Sequence, residues 1–140
     1  MKKIVLIITF NLFLFTNLNA EEISFNCEFK NWTEQKMMSE VIKTKDDLSP
    51  DITTDKQITF EKISEDEIFV KKTSFIFPEL KNKIKVNVSS DELIFSYGEL
   101  DTHFEVFILN RLSGELNKNV KRFDEKINIL YECKKTNKII

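Results

Sequence analysis

Two segments near opposite ends of the chain alternate apolar and polar residues with a period of two, and each carries a cysteine in its apolar row. Ile23, Phe25, Cys27 and Phe29 alternate with Ser24, Asn26 and Glu28, and Ile127, Ile129, Tyr131 and Cys133 repeat the pattern near the C-terminus. A period of two places successive side chains on opposite faces of a β-strand. If both apolar rows face one core, the two cysteines face it as well, and the terminal strands lie side by side or face to face. A Cys27–Cys133 disulfide then sits in the core rather than at an exposed redox position. By chain entropy alone, closing a loop of that length is worth up to ~4–5 kcal/mol.

The same signal recurs between these ends. Ile84, Val86 and Val88 alternate with Lys83, Lys85 and Asn87, and further strands are expected over residues 57–61, 67–73, 92–97, 104–110 and 115–120. Clusters of Ser, Asp, Glu and Gly at 64–67, 89–92 and 98–102 separate them as turns. Short, regularly spaced strands predict an all-β fold, a small antiparallel β-barrel or sandwich of about seven or eight strands, with the disulfide joining the terminal strands. Two regions break the pattern. Residues 33–43 carry Met37, Met38, Val41 and Ile42 at helical spacing and read as one short helix or an irregular strand. Residues 45–56, with Ser49-Pro50-Asp51, read as a loop.

The first twenty residues do not belong to this pattern. Lys2 and Lys3 precede an apolar run from Ile4 to Phe15 and a polar stretch ending at Ala20, the layout of a secretory signal peptide. Asn11 interrupts a run already short of the ~20 apolar residues that span a bilayer. The expected organisation is a signal peptide over 1–20 and a single β-domain over 21–140, exported to the periplasm or secreted, with no membrane span after cleavage. Removing the leader takes away two lysines and no acids, so the formal charge moves from −2 to −4. That balance argues against nucleic acid, which demands a concentrated basic face. An isolated cysteine pair in an exported chain is expected to be a disulfide. The single histidine and two distant cysteines do not supply the ligand cluster that zinc needs, so neither a metal nor a cofactor is expected.

The chain has few candidates for chemistry. His103 opens a strand and shares a face with Glu105 and Phe107. A cleft holding His103 beside a carboxylate would point to an enzyme. With two glycines in the whole chain there is no phosphate-binding loop and no Gly-x-Ser-x-Gly elbow, so a non-catalytic protein is expected. Arg111, one of two arginines, lies in the Asn110-Arg111-Leu112-Ser113-Gly114 turn, where its planar fork suits turn carbonyls or a carboxylate. Trp32, the sole tryptophan, reads as a core or rim residue. It lies inside Asn31-Trp32-Thr33, a glycosylation pattern, as is Asn87-Val88-Ser89, which the bacterial look of the composition discounts. Ten phenylalanines in the expected mature domain fill a core or line an apolar ligand cavity.

The arrangement VSSDELIF, then FILNRLSGEL, then YEC resembles small exported bacterial proteins of unknown function that share a strand, an Asn-Arg-x-(Ser/Thr)-Gly turn, a second strand and a C-terminal cysteine strand. The resemblance covers residues 86–133 and implies a compact β-domain with no known activity. The opening Phe25-Asn26-Cys27 is similar to that of periplasmic inhibitors of C-type lysozyme, small β-barrels that also end at a partner cysteine. Their Ser-Gly-x-x-Tyr loop is not reproduced, since Ser113-Gly114 runs on into Glu115, Leu116 and Asn117. The expected function is therefore a binding or envelope-associated module whose partner is a protein or a small apolar ligand. Lysozyme inhibition and carriage of an apolar ligand in a Phe-lined interior stand as the alternatives.

Overall fold

The computed structural model describes residues 20–36, 38–76 and 79–136. Met37, Phe77 and, except for Ala20, the expected signal peptide lie outside the described residues. None of the described helices is long and apolar enough to cross a membrane.

Among the described residues, nine antiparallel strands form one sheet: β1 (Glu21–Lys36), β2 (Ser39–Lys43), β3 (Lys56–Lys62), β4 (Ile68–Thr73), β5 (Ile84–Val88), β6 (Glu92–Glu99), β7 (His103–Asn110), β8 (Glu115–Arg122) and β9 (Glu125–Thr136). β1 pairs with β3 on one side and β9 on the other, which closes eight strands into a barrel and leaves β2 as an extra strand on β1. The choice between barrel and sandwich is thus resolved as a barrel. The terminal strands lie side by side, with Cys27 and Cys133 as direct register partners joined by a disulfide. Both cysteines are buried.

β1 does two jobs along its length. Ser24 to Cys27 sit between β3 and β9, whereas Trp32 to Lys36 sit between β9 and β2. A bulge between Phe29 and Asn31 marks the change. A one-residue insertion swaps which face each side chain takes. Phe25, Cys27 and Phe29 therefore point inward before the bulge, and Trp32 and Glu34 after it, opposite Ile129 and Ile127. The segment 33–43, expected as a short helix or an irregular strand, is the end of β1 and its hairpin with β2.

Among the described residues the one short α-helix lies instead in the expected loop, as α1 (Pro50–Thr53) following a 3₁₀ turn at Lys45–Asp47. Ser49 stands at the N-cap and Pro50 opens the helix, where its fixed φ and missing N–H cost nothing. Leu48 and Ile52 pack on the core, so this segment is held to the barrel by apolar contact.

The interior is organised by rings. Phe25, Phe60, Phe95, Phe107, Phe75, Tyr131 and Phe29 form an unbroken chain with centroids 4.6 to 6.0 Å apart, all edge-on except the stacked Phe95–Phe107 pair. Such contacts add ~0.5–1.5 kcal/mol per pair beyond the area they bury. Phe75 reaches this chain from the β4–β5 connection rather than from a strand.

Two outcomes are expected from this packing. The double variant Cys27→Ala, Cys133→Ala should lose about 2–5 kcal/mol of stability in urea unfolding, because the bridge closes a loop of 106 residues. Tyr131 is held protonated above its ordinary range, first by burial and then by the Glu105 charge. Its raised folded-state value leaves stability intact below about pH 10, where unfolded tyrosine titrates, and removes it progressively as pH rises further. In a Tyr97→Phe background, where Tyr131 is the only tyrosine, phenolate absorbance should therefore appear together with loss of the near-ultraviolet dichroism rather than before it.

Candidate functional site

Antiparallel pairing places the β1–β2, β4–β5, β6–β7 and β8–β9 connections at one end of the barrel, which we call the upper end. The inward rows of β7 and β8 change character along the axis. Leu109, Phe107 and Leu116 are buried and apolar, whereas Lys118, level with Phe107, and Glu105, His103 and Arg122 above it make the same inward rows polar toward the upper end.

These four side chains form one relay. Arg122 Nε donates to His103 Nδ1 at 2.9 Å, and His103 Nε2 lies 3.2 Å from Glu105 Oε1. Lys118 Nζ is 3.1 Å from the same oxygen. With Nδ1 accepting from Arg122, Nε2 is the ring nitrogen that faces Glu105 as a donor. Lys118 and Glu105 are only 13% and 10% exposed, and Lys118 also lies 5.5 Å above the Phe107 ring. Burial of two charges stabilises the fold only when both stay paired, so the pair constrains the upper interior more than it strengthens it.

Around this relay lie Trp32, Lys56 and α1. Tyr131 Oη donates to the Ile52 carbonyl at 3.3 Å, and Lys56 Nζ donates to the Asp51 carbonyl, which together tie α1 over the interior. Lys56 is pushed below the usual lysine range, first by burial, then by the nearby Lys118 charge, with Asp51 opposing. Glu34, two residues beyond Trp32 on the same face, is held low mainly by its hydrogen bond from Lys43. The Trp32 indole Nε1 is buried. It falls outside strict hydrogen-bond geometry but acts as a donor toward the Glu34 carboxylate, which it helps to hold low. Enclosed by these groups is a cavity of about 150 Å³, lined by Trp32, Lys56, Phe75, Glu105, Lys118 and Arg122 among others.

Of the residues singled out from the sequence, Trp32 and His103 thus come to one end, and Arg111 lies at the other. Arg111 Nη1 donates to the Ser89 carbonyl at 2.9 Å, and its backbone N–H donates to Asp91 at 2.7 Å, joining the β7–β8 turn to the β5–β6 turn. Gly114 in that turn has a φ of +78°, and a Cβ there would meet the Cys133 carbonyl, so the turn admits no larger residue without strain. His103 does lie beside a carboxylate. Both ring nitrogens are engaged, however, and among the described residues no serine, threonine or cysteine hydrogen-bonds to it. No group of three His, Cys, Asp or Glu side chains is placed to hold a metal among the described residues.

Sequence reasoning passed over Lys118, Arg122 and Lys56. Period two does expose Lys118, because a lysine midway between the inward Leu116 and Val120 must itself face inward.

A larger groove lies on the outer face of the same strands. The outer row of β7, with Phe104, Val106 and Ile108, is only half-buried. Phe104 and Val106 wall a groove of about 440 Å³ that crosses β7, β8, β9, β1 and β2. Asn119 and Asn128, direct register partners, lie in it with Asn128 Nδ2 donating to Asn119 Oδ1 at 2.6 Å. Thr33, Gln35 and Glu40 complete the β1–β2 side, and Lys121 and Lys126 stand directly opposite one another.

Removing one member of the buried pair should cost more than removing both. Lys118→Met leaves Glu105 in the interior with His103 alone and should lower stability by about 2–4 kcal/mol, whereas Lys118→Met with Glu105→Leu should recover much of that loss. Urea unfolding of the two variants near neutral pH provides the comparison.

Compared with protein-family models, with curated proteins and with solved structures, the chain matches none, so its function is argued from its own geometry.

Proposed function

We propose that this is an exported, non-catalytic binding module that holds an acidic glycan strand in its outer groove. The observation that carries the reading is β2. Eight strands already close the barrel, and the ninth adds nothing to closure but extends β1 and places Glu40 at the edge of the 440 Å³ groove, across from the Lys121 and Lys126 side. The groove has the chemistry of a polyhydroxylated ligand, with amide and hydroxyl side chains at Asn119, Asn128, Thr33 and Gln35 and an aromatic wall at Phe104. With Asn128 donating to Asn119, the Asn119 amide N–H groups and the Asn128 carbonyl oxygen face neighbouring hydroxyls.

Lys121 and Lys126 supply the preference for charge. Like charges directly across a strand pair destabilise it, and neither lysine is matched to an acid by a salt bridge among the described residues. A carboxylate placed between them removes that repulsion. Export is supported by the core disulfide, a bond that persists in oxidising compartments. The absence of catalysis is supported by the engagement of both His103 ring nitrogens. The filled aromatic chain offers its rings to each other, which favours the groove over the interior as the place for a large ligand.

Soluble cell-wall glycan fragments carrying free carboxylates are the probe, measured by isothermal titration against the same fragments with carboxylates amidated. The expected result is binding of the acidic fragments, weakened about tenfold or more by amidation or by the double variant Lys121→Glu, Lys126→Glu. Absence of binding, or equal affinity in the charge-reversed variant, would overturn the reading.

A further inference from the structure

The cavity inside the upper end carries more positive than negative charge. Lys56, Lys118 and Arg122 line it, facing the carboxylates of Glu105 and Asp51. Glu105 is already shared between Lys118 and His103. Asp51 is exposed, and it is its backbone carbonyl that takes the Lys56 ammonium. Arg122 uses Nε on His103, which leaves the two terminal nitrogens of its fork. The buried Trp32 Nε1–H falls outside strict hydrogen-bond geometry and acts as a donor toward the Glu34 carboxylate. Like charges held close together cost free energy, and Lys56, pushed down by burial and by the Lys118 charge, carries part of that cost.

The remaining wall is apolar, with Ile52 from α1 and Phe75 from the β4–β5 connection. An inorganic anion would answer the cations and leave this wall unused, and a hydrocarbon would do the reverse. A volume of about 150 Å³ equals roughly five waters' share of liquid volume, which limits a ligand to a few carbon atoms beyond its charged group.

We propose that this cavity is a binding site for a small monocarboxylate, with the carboxylate held by Arg122 and Lys118 and a short alkyl tail against Ile52 and Phe75. A planar guanidinium fork matches the two oxygens of a carboxylate, which gives this anion class its advantage over a spherical one. The site lies on the inner face of the strands whose outer face forms the groove, so it stands or falls independently of the glycan reading.

Trp32 is the sole tryptophan and lines the cavity, so its fluorescence reports occupancy without any label. The probe is butyrate, titrated into the full mature chain at constant ionic strength held with chloride. The amide of the same length, butyramide, is the neutral control. The expected result is a saturable change in Trp32 emission, with an apparent Kd about tenfold weaker for butyramide and about tenfold weaker for butyrate on Arg122→Gln, whose folded state is checked by an unchanged urea-unfolding midpoint. Lys56→Gln should weaken butyrate in the same direction. The single indole N–H resonance, followed by nuclear magnetic resonance, reads the same titration where emission is silent. Three results each overturn the proposal: no saturable change in either signal, equal affinity for butyramide, or the same saturation by chloride alone.

Discussion

The pairing of β1 with β9 is the constraint on which the rest of this molecule depends. Without it the nine strands form an open sheet whose inward rows have nothing to face, and the chain of seven rings has no interior to fill. The pairing joins the two ends of the domain, so it carries the largest loop-closure cost of any contact in the barrel. Cys27 and Cys133 sit opposite each other at that seam and convert the costly contact into a covalent one.

From that seam the barrel divides into two halves. Toward the lower end the inward rows are apolar and tightly held, and Arg111 ties two turns together through the Ser89 carbonyl. Toward the upper end the same rows carry Glu105, Lys118, His103 and Arg122. Charged groups at these positions weaken the hydrophobic contribution of the upper half, because each must remain paired to be tolerated. The bulge in β1 belongs to this arrangement. It turns β1 away from β3, brings Trp32 and Glu34 inward beside the charged residues, and delivers Thr33 and Gln35 to the outer groove. One inserted residue thus shapes both faces.

Much of the fold was legible because period two is a local property. The alternation around Cys27 and Cys133 places both on inward rows, and the strands at 57–61, 92–97 and 115–120 each lie within an observed strand. The misreadings have a common cause. At 33–43 the bulge interrupts the alternation, and Met38, Val41 and Ile42 are exposed on a hairpin rather than aligned on a helix face. At Pro50–Thr53 the Ser-Pro start of a helix was present, but apolar support from Leu48 and Ile52 depends on a barrel surface absent from local sequence. The candidate site was partly legible. His103 and Trp32 were found as isolated unusual residues, whereas the lysine of the buried pair was hidden among surface lysines.

The sequence by itself determined which side chains share a face, where the turns fall, and that two inward cysteines must meet. These follow from the two-residue repeat of a strand and the backbone freedom of a few turn residues, each set within a handful of positions. Only the tertiary structure decided that the sheet closes as a barrel, that Arg122, His103, Glu105 and Lys118 contact one another in series, and that a ninth strand edges a groove outside. Those outcomes depend on strand order, on the bulge that exchanges the faces of β1, and on contacts between residues far apart in the chain. Local alternation is blind to all three, because it specifies a face without specifying what lies across from it.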